Sequence, residues 1–490
     1  MLLPLLALGL SPIVSAAADK FSVPNVNATF DKSPKPFEIH VDPAFIEETR
    51  QRVAHARAPV FIGIKSDGPS AEIFNSVQEY WVNEFDWNAT EAAINQKLKQ
   101  FTTIVEPVVD NATYPVPLHF VHHRSPRKDA IPLLFIHGWP GSFLEVSHVI
   151  GNLTNPPNSS VPAFHVVAPS IPGFAFSPAP QRAGFGPVEA AHAFNALMDQ
   201  LGYEKYVIQG GDFGGVTLRY QSHLYPKNVV SALSNFWVIQ PDDEDMRRLA
   251  EGVATPDEVA YINILETYIN HNSGYRLMQS TEPLTLAIGM TDSPLGNAMW
   301  IYDLMNKVID PAITTWTPEQ IITWSMMYYI QGPYGGMRFY KEVLNDGGFS
   351  LLDFGTLPLV EVPVAISQFP YDICYRMPLD WAKRGGNVIK RTVNHHGGHF
   401  AAYEVPELLL NDIWSWFGDK EVSRTSVKAL SFFVALHKFD NGGGKEVILA
   451  DKKVLATGKA SKLPQSRNTS INMDCIRVAP FQYISHSPAL

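Results

Sequence analysis

The chain has 490 residues, 46% of them hydrophobic and 18% charged, with a net charge of −10 and an isoelectric point near 5.9. This is an ordinary composition for a soluble globular protein with ample material for a core, and the acidic balance argues against nucleic acid as a partner. No G-x-x-x-x-G-K-S/T, H-E-x-x-H or C-x-x-C occurs, so neither a cofactor nor a metal is expected.

The chain opens on a short apolar run from Met1 to Val14, followed by Ser15-Ala16-Ala17-Ala18. It is shorter than the roughly 20 residues of a membrane span, and Pro4 and Pro12 interrupt it. Residues 1–18 therefore read as a cleaved signal peptide, and the chain as secreted or resident in the ER lumen. Membrane association follows only if this segment is retained. N-x-S/T sequons at Asn27, Asn88, Asn111, Asn152, Asn158 and Asn468 agree with an ER route. Cys374 and Cys475 are the only cysteines. An oxidising compartment would permit a bridge between them, and their spacing establishes none.

Residues 19–36, broken by Pro24, Pro34 and Pro36, read as an extended linker. A largely helical unit follows over 37–125, its Tyr80–Trp87 stretch dense in aromatics that suit a core plug. Strand patterns lie at 117–122 and at Ile131–Ile136, the second apolar throughout like a buried parallel strand. Phe164–Pro169 reads as another. Between Gly186 and Gly202 the stripe Ala191, Phe194, Leu197, Met198 and Leu201 predicts a helix with Pro187 in its first turn. Strand-like Tyr206–Gln209 then leads into a glycine-crowded turn and a further helix. Alternating strands and helices define the first part of an α/β core over 126–240.

Residues 241–355 are helical without strand alternation and read as a lid inserted above the sheet. Sheet character returns at 362–366 and 387–389, and an amphipathic helix over 407–414 closes the second part of the core, 356–420. The segment 421–490 differs, with ten Lys/Arg against five Asp/Glu, and reads as an appended tail.

Chemistry concentrates at four places. Gln209-Gly210-Gly211-Asp212-Phe213-Gly214-Gly215 has the strand–turn–helix layout of a nucleophile elbow, with Asp212 where a serine usually stands. A carboxylate there suits displacement at saturated carbon through an ester intermediate. His137-Gly138-Trp139-Pro140-Gly141-Ser142 offers backbone N–H groups at a strand end, and with the N–H of Phe213 they can hold an oxyanion. Asp372 follows the strand at 362–366 and can orient a histidine. His399, in Gly397-Gly398-His399-Phe400, can serve as a general base; His395 and His396 are decoys among 16 histidines. The order nucleophile, acid, histidine is that of α/β hydrolases.

Together the elbow, HGWPGSF and GGHFAAYEVPE resemble the microsomal-type epoxide hydrolases of the α/β-hydrolase fold. Trp81–Trp87 with Glu91 and Asn95, Ser273–Pro283, Thr291–Gly296 and Arg338–Glu342 are similar to the same family, so the resemblance covers about residues 37–418. It implies a mostly parallel sheet flanked by helices, with a helical lid and an N-terminal helical meander. It also implies Asp212 as nucleophile, His399 as base, Asp372 as acid, and Tyr275 and Tyr340 as donors to the epoxide oxygen. The expected substrate is a small epoxide, hydrolysed to a diol without a cofactor, and a homodimer is compatible with the sequence. The other lid tyrosines, Tyr261, Tyr268, Tyr302, Tyr328, Tyr329 and Tyr334, are expected to pack. A haloalkane dehalogenase shares the carboxylate elbow but needs halide donors, often a Trp after the nucleophile, where Phe213 has none. A catalytically inactive binding protein of this fold would lack a catalytic member, and none is lacking here. The 421–490 tail has no counterpart in the family.

Overall fold

A computed structural model describes residues 21–346 and 357–425. The expected signal segment, residues 347–355 of the expected lid, nearly all of the tail, Cys475 and Asn468 lie outside the described residues.

Nine strands build the central sheet: β1 (Lys35–Phe37), β2 (Gln100–Val105), β3 (Val116–His123), β4 (Ile131–Ile136), β5 (Phe164–Pro169), β6 (Tyr206–Gly210), β7 (Val229–Ser234), β8 (Val360–Gln368) and β9 (Gly386–Val393). Their order across the sheet is β1-β2-β3-β5-β4-β6-β7-β8-β9. The first three strands pair antiparallel with each other, and β3 pairs antiparallel with β5. Every pairing from β5 through β9 is parallel. All six residues of β4 and all five of β6 are buried, because helices cover both faces of a parallel sheet.

Register fixes where the site can form. Ile136 lies opposite Gly210, and Gly210 opposite Ser234, so the central strands end level with one another. The residues that follow them, His137–Ser142 and Gly211–Phe213, share one rim. The loops after β8 and β9 supply Asp372 and His399 to that rim, and ligands of α/β sheets bind at the carboxyl ends of the strands.

The helix predicted between Gly186 and Gly202 spans Pro187–Gln200, with Ala191, Phe194, Leu197 and Met198 buried and Gly202 at φ +81° beyond its end. Seven described helices carry proline in their first turn, where its missing N–H costs no hydrogen bond and its fixed φ suits the helix. Several of these open the helices over the sheet: Pro256–Thr267, Pro283–Asp292, Pro294–Lys307 and Pro318–Tyr329. Among the described residues no helix is long and apolar enough to cross a membrane.

The reading of 19–36 as a linker needs correction over its described part. Val23 is buried, Val26 bridges both Val23 and Val41, and Lys35–Phe37 is the edge strand of the sheet. The prolines there suit a sheet edge, where an absent N–H faces away from the ladder. The unit expected over 37–125 is likewise continuous with the core, since β2 and β3 extend the same sheet.

Candidate active site

At the end of β6 the backbone turns sharply into the helix Phe213–Leu224, and Asp212 occupies the corner at φ +49°, ψ −126°. A non-glycine residue held there carries backbone strain of about 1–3 kcal/mol. Glycine is required at close range: a Cβ on Gly214 would lie 2.0 Å from the Ile136 carbonyl oxygen, and one on Gly138 would lie 2.3 Å from Asp212 Cβ. The strand end, the helix start and the neighbouring strand end thus meet at backbone contact, leaving the carboxylate standing over the rim.

The turn His137–Ser142 faces this carboxylate. Trp139 N–H donates to Asp212 Oδ1 at 2.8 Å. From above, the helix Pro318–Tyr329 fixes the turn, with Trp324 Nε1 donating to the Pro140 carbonyl and the Tyr328 hydroxyl donating to that of Gly141. The carbonyls of Pro140 and Gly141 are thereby occupied, and the N–H of Trp139 points to the site. Burial pushes the Asp212 pKa up, while His399 and the N–H groups of Trp139 and Phe213 hold it back.

Asp372 Oδ2 accepts from His399 Nδ1 at 2.6 Å, and its other oxygen accepts from the Cys374 N–H at 3.0 Å. The bond to His399 assigns the proton to Nδ1 and turns Nε2 outward, 3.6 Å from Asp212 Oδ2. The His399 backbone N–H donates to the Val308 carbonyl at 2.8 Å, which anchors the loop to the lid. Burial works against a charged ring, yet Asp372 by charge and hydrogen bond, with Asp212 and Glu145 adding, raises the His399 pKa to about 9. His395 and His396 are exposed and stand apart from this cluster.

Two tyrosines cover the carboxylate. The Tyr275 ring stacks on Trp139 at 5.4 Å and meets the Tyr340 ring edge-on at 5.8 Å. Tyr340 also packs 4.5 Å from the Phe213 ring. Burial drives both phenols well above their usual pKa, so both are held protonated. The Tyr340 hydroxyl is buried and makes no hydrogen bond of normal geometry. A cavity of about 30 Å³ lies beneath them, bounded by Asp212, His399, Trp139, Phe213, Tyr275 and Tyr340, with Phe236, Leu304, Val308 and Ile373 completing a mainly apolar wall.

Sequence reading missed three residues at this site. Tyr268, expected only to pack, lines the cavity and exchanges a hydrogen bond with Tyr275 at 3.0 Å. Helical spacing would not have marked it, because Tyr268–Asn272 is a π-helical turn separate from the helix Gly274–Thr281 that carries Tyr275. Arg276 is buried and lines the same cavity. Glu145, three residues past Ser142, is close enough to feel both Asp212 and His399.

A carboxylate at a strand–turn–helix corner, with an acid and a histidine on later strand-end loops, defines an α/β hydrolase. A family model for the epoxide hydrolase N terminus matches residues 34–146, and one for the alpha/beta hydrolase fold matches 131–250. Epoxide hydrolase 1 of Sus scrofa is 30% identical over 428 residues, spanning 80% of this chain and 90% of the pig protein. The solved Aspergillus niger epoxide hydrolase superposes with a TM-score of 0.67 at 26% identity, covering 82% of this chain and 98% of that one. The juvenile hormone epoxide hydrolase of the silkworm Bombyx mori gives 0.70 at 26% identity, covering 81% and 96%. The chain belongs to the epoxide hydrolase family of α/β hydrolases and converts epoxides to diols.

Proposed function

We propose that the reaction runs in two steps through a covalent ester on Asp212. Asp212 Oδ2 attacks an epoxide carbon and the carbon–oxygen bond breaks. The departing oxygen takes a proton from Tyr275 or Tyr340, so the developing alkoxide is neutralised as it forms. Oδ1 remains on the Trp139 N–H, which distinguishes the two oxygens of the nucleophile. His399 then removes a proton from water, whose oxygen bonds to Asp212 Cγ. The tetrahedral oxyanion sits on the N–H groups of Trp139 and Phe213. Collapse expels the diol oxygen, which is protonated by the imidazolium; the second water proton, left on the Asp212 carboxyl, passes to the tyrosinate formed in the first step, and the Asp212 carboxylate is restored with one oxygen drawn from water.

The observation that carries this reading is the double engagement of Asp212: Trp139 N–H at 2.8 Å on Oδ1 and His399 Nε2 at 3.6 Å from Oδ2. The charge balance supports the order of steps. Asp212 helps hold the His399 pKa near 9; once Asp212 is esterified that charge is gone, and the ring is released to act as base. The apolar wall of the cavity favours an epoxide with hydrocarbon flanks. A secreted or ER-lumenal location is supported by exposure of all five described sequon asparagines, Asn27, Asn88, Asn111, Asn152 and Asn158.

The test is His399→Gln given a single equivalent of epoxide. The expected result is a mass increment equal to the substrate on the peptide carrying Asp212, absent in Asp212→Asn. An unmodified Asp212 peptide in an inactive His399→Gln would overturn the ester.

A further inference from the structure

The loop that carries His399 is fastened on two sides. On one side it meets the loop after β8: Gly398 bridges Tyr371, the Tyr371 N–H donates to the Gly397 carbonyl at 3.3 Å, and Asp372 holds the imidazole itself. On the other side it meets the lid, where the helix Pro294–Lys307 ends. There the His399 N–H donates to the Val308 carbonyl. A Cβ on Gly398 would stand 2.2 Å from that carbonyl oxygen and 2.9 Å from Ile309 Cα. The two backbones are therefore in direct contact, and position 398 has no room for a side chain.

Two carboxylates close this second junction reciprocally. Asp310, buried at the end of the lid, accepts from the Gly397 N–H on Oδ2 at 3.2 Å and from the Ala312 N–H on Oδ1 at 3.0 Å. Glu404, on the short helix Ala401–Glu404 just after His399, reaches the other way. Its Oε2 accepts from the Asp310 N–H at 2.8 Å, and its Oε1 from the Phe400 N–H at 3.1 Å. Each carboxylate thus binds backbone of the opposing segment and backbone of its own. Hydrogen bonds to an ionised acceptor are about twice as strong as neutral ones. The same stretch of lid also meets the substrate, since Leu304 and Val308 wall the epoxide cavity.

We infer that Asp310 and Glu404 are positioning residues for breakdown of the ester: they fasten the end of the lid to the histidine loop and so fix the placement of His399 Nε2 against Asp212. The inference rests on the ester reading above. Asp372 sets the tautomer and direction of the imidazole, but a ring on a glycine-flanked loop still moves wherever its backbone moves. The lid junction removes that freedom, because Gly397 and Phe400, on either side of His399, both donate to the two carboxylates. Neither carboxylate lines the epoxide cavity, so each acts on the chemistry only through the groups it holds. The groups that form the ester are mounted elsewhere, Asp212 at the strand–helix corner and Tyr275 and Tyr340 on the helices Gly274–Thr281 and Tyr334–Asn345. Loosening the junction therefore displaces the base and leaves the nucleophile and its donors in place.

The test separates the two chemical steps by rapid quench and mass spectrometry of the Asp212 peptide, alongside kcat and KM. It is run above pH 7, where Glu404, raised by burial to about 7, is ionised. Glu404→Leu, which removes both acceptors, is expected to form the ester at the wild-type rate and to lose it about 100-fold more slowly, the cost of a reacting group misplaced by about 1 Å. Glu404→Gln and Asp310→Asn, which each keep one acceptor oxygen, are expected to slow breakdown about tenfold. Because only the second step slows, kcat and KM fall together and kcat/KM is unchanged. Unchanged breakdown in either Glu404→Leu or Asp310→Asn overturns the inference. A fall in kcat/KM as large as the fall in kcat also overturns it, since that is a packing defect felt by both steps. If Glu404→Leu does not fold, Glu404→Gln and Asp310→Asn carry the same expectation and the same refutation. Absence of any ester in His399→Gln would refute the underlying reading, whatever the Asp310 and Glu404 variants do.

Discussion

His399 Nε2 stands 3.6 Å from Asp212 Oδ2, within ion-pair range but beyond a hydrogen bond. Across this gap the carboxylate raises the basicity of the ring without engaging Nε2 in a hydrogen bond. Removing the charge at Asp212 must therefore lower the His399 pKa from its position near 9. Asp212→Asn is expected to show this in an NMR titration of the imidazole resonance, assigned by its loss in His399→Gln. An unchanged or higher pKa would mean that the two groups are not electrostatically coupled, and the switch from ion pair to free base would fail.

In the proposed mechanism the lid tyrosines act earlier, in ester formation. Tyr275→Phe and Tyr340→Phe each remove one donor from the place where alkoxide charge develops, and each is expected to slow ester formation about 100-fold. Breakdown of the ester should be unaffected, because the proposed mechanism places the oxyanion of that step on backbone N–H groups. Tyr268→Phe, which removes the hydroxyl partner of Tyr275, should have a smaller effect of the same kind. Single-turnover measurement of ester appearance checks all three. A variant that slows breakdown alone would place its tyrosine in the wrong step.

The glycines at the elbow make a structural prediction with a built-in contrast. A Cβ on Gly214 meets the Ile136 carbonyl at 2.0 Å, whereas one on Gly289, in the exposed part of helix Pro283–Asp292, meets nothing within 4 Å. Gly214→Ala should cost about 3 kcal/mol or more by forcing backbone apart, and should lose activity as Asp212 shifts. Gly289→Ala should instead add about 1 kcal/mol from helix propensity. Urea unfolding of both variants reads the sign directly.

How legible these features were depended on range. Strand Ile131–Ile136 and helix Pro187–Gln200 announce themselves because their burial is uniform or strictly periodic. Strand Val229–Ser234 went unread because Ser231 and Ser234 interrupt the apolar run. Both serines are buried, and the Ser234 hydroxyl is bonded to the Gly210 and Phe236 carbonyls. Strand Gln100–Val105 is polar for a similar reason, with Thr102 and Thr103 bonded to backbone at residues 29 and 31. At the site, Asp212, Asp372 and His399 could be picked out because each follows a strand. Glu145 could not, since its meaning comes only from folding back over Gly141 toward a histidine far along the chain.

Buried histidines add a prediction about acid stability. Burial lowers the pKa of His119 to about 3, with His137 adding to it. Both its ring nitrogens are bonded, to Ser170 Oγ at 2.9 Å and Gln100 Oε1 at 3.0 Å. In the unfolded chain the same ring titrates near its ordinary value of 6.5. Between those values the unfolded state binds the extra proton, so the stability contributed by neutral His119 is complete above about 6.5 and drains as pH falls toward 3. The slope is about 1.4 kcal/mol per pH unit, or about 2 kcal/mol from pH 6.5 to pH 5. The protein's net slope is not this number. His122, also lowered to about 3, pulls the same way, while Glu145 and Glu404, raised to about 8 and about 7, pull the other. A single substitution isolates the His119 contribution. Wild type should lose about 2 kcal/mol relative to His119→Gln between pH 6.5 and pH 5, read from denaturant midpoints at the two pH values. Parallel curves for the two proteins would show that His119 takes up its proton within the fold.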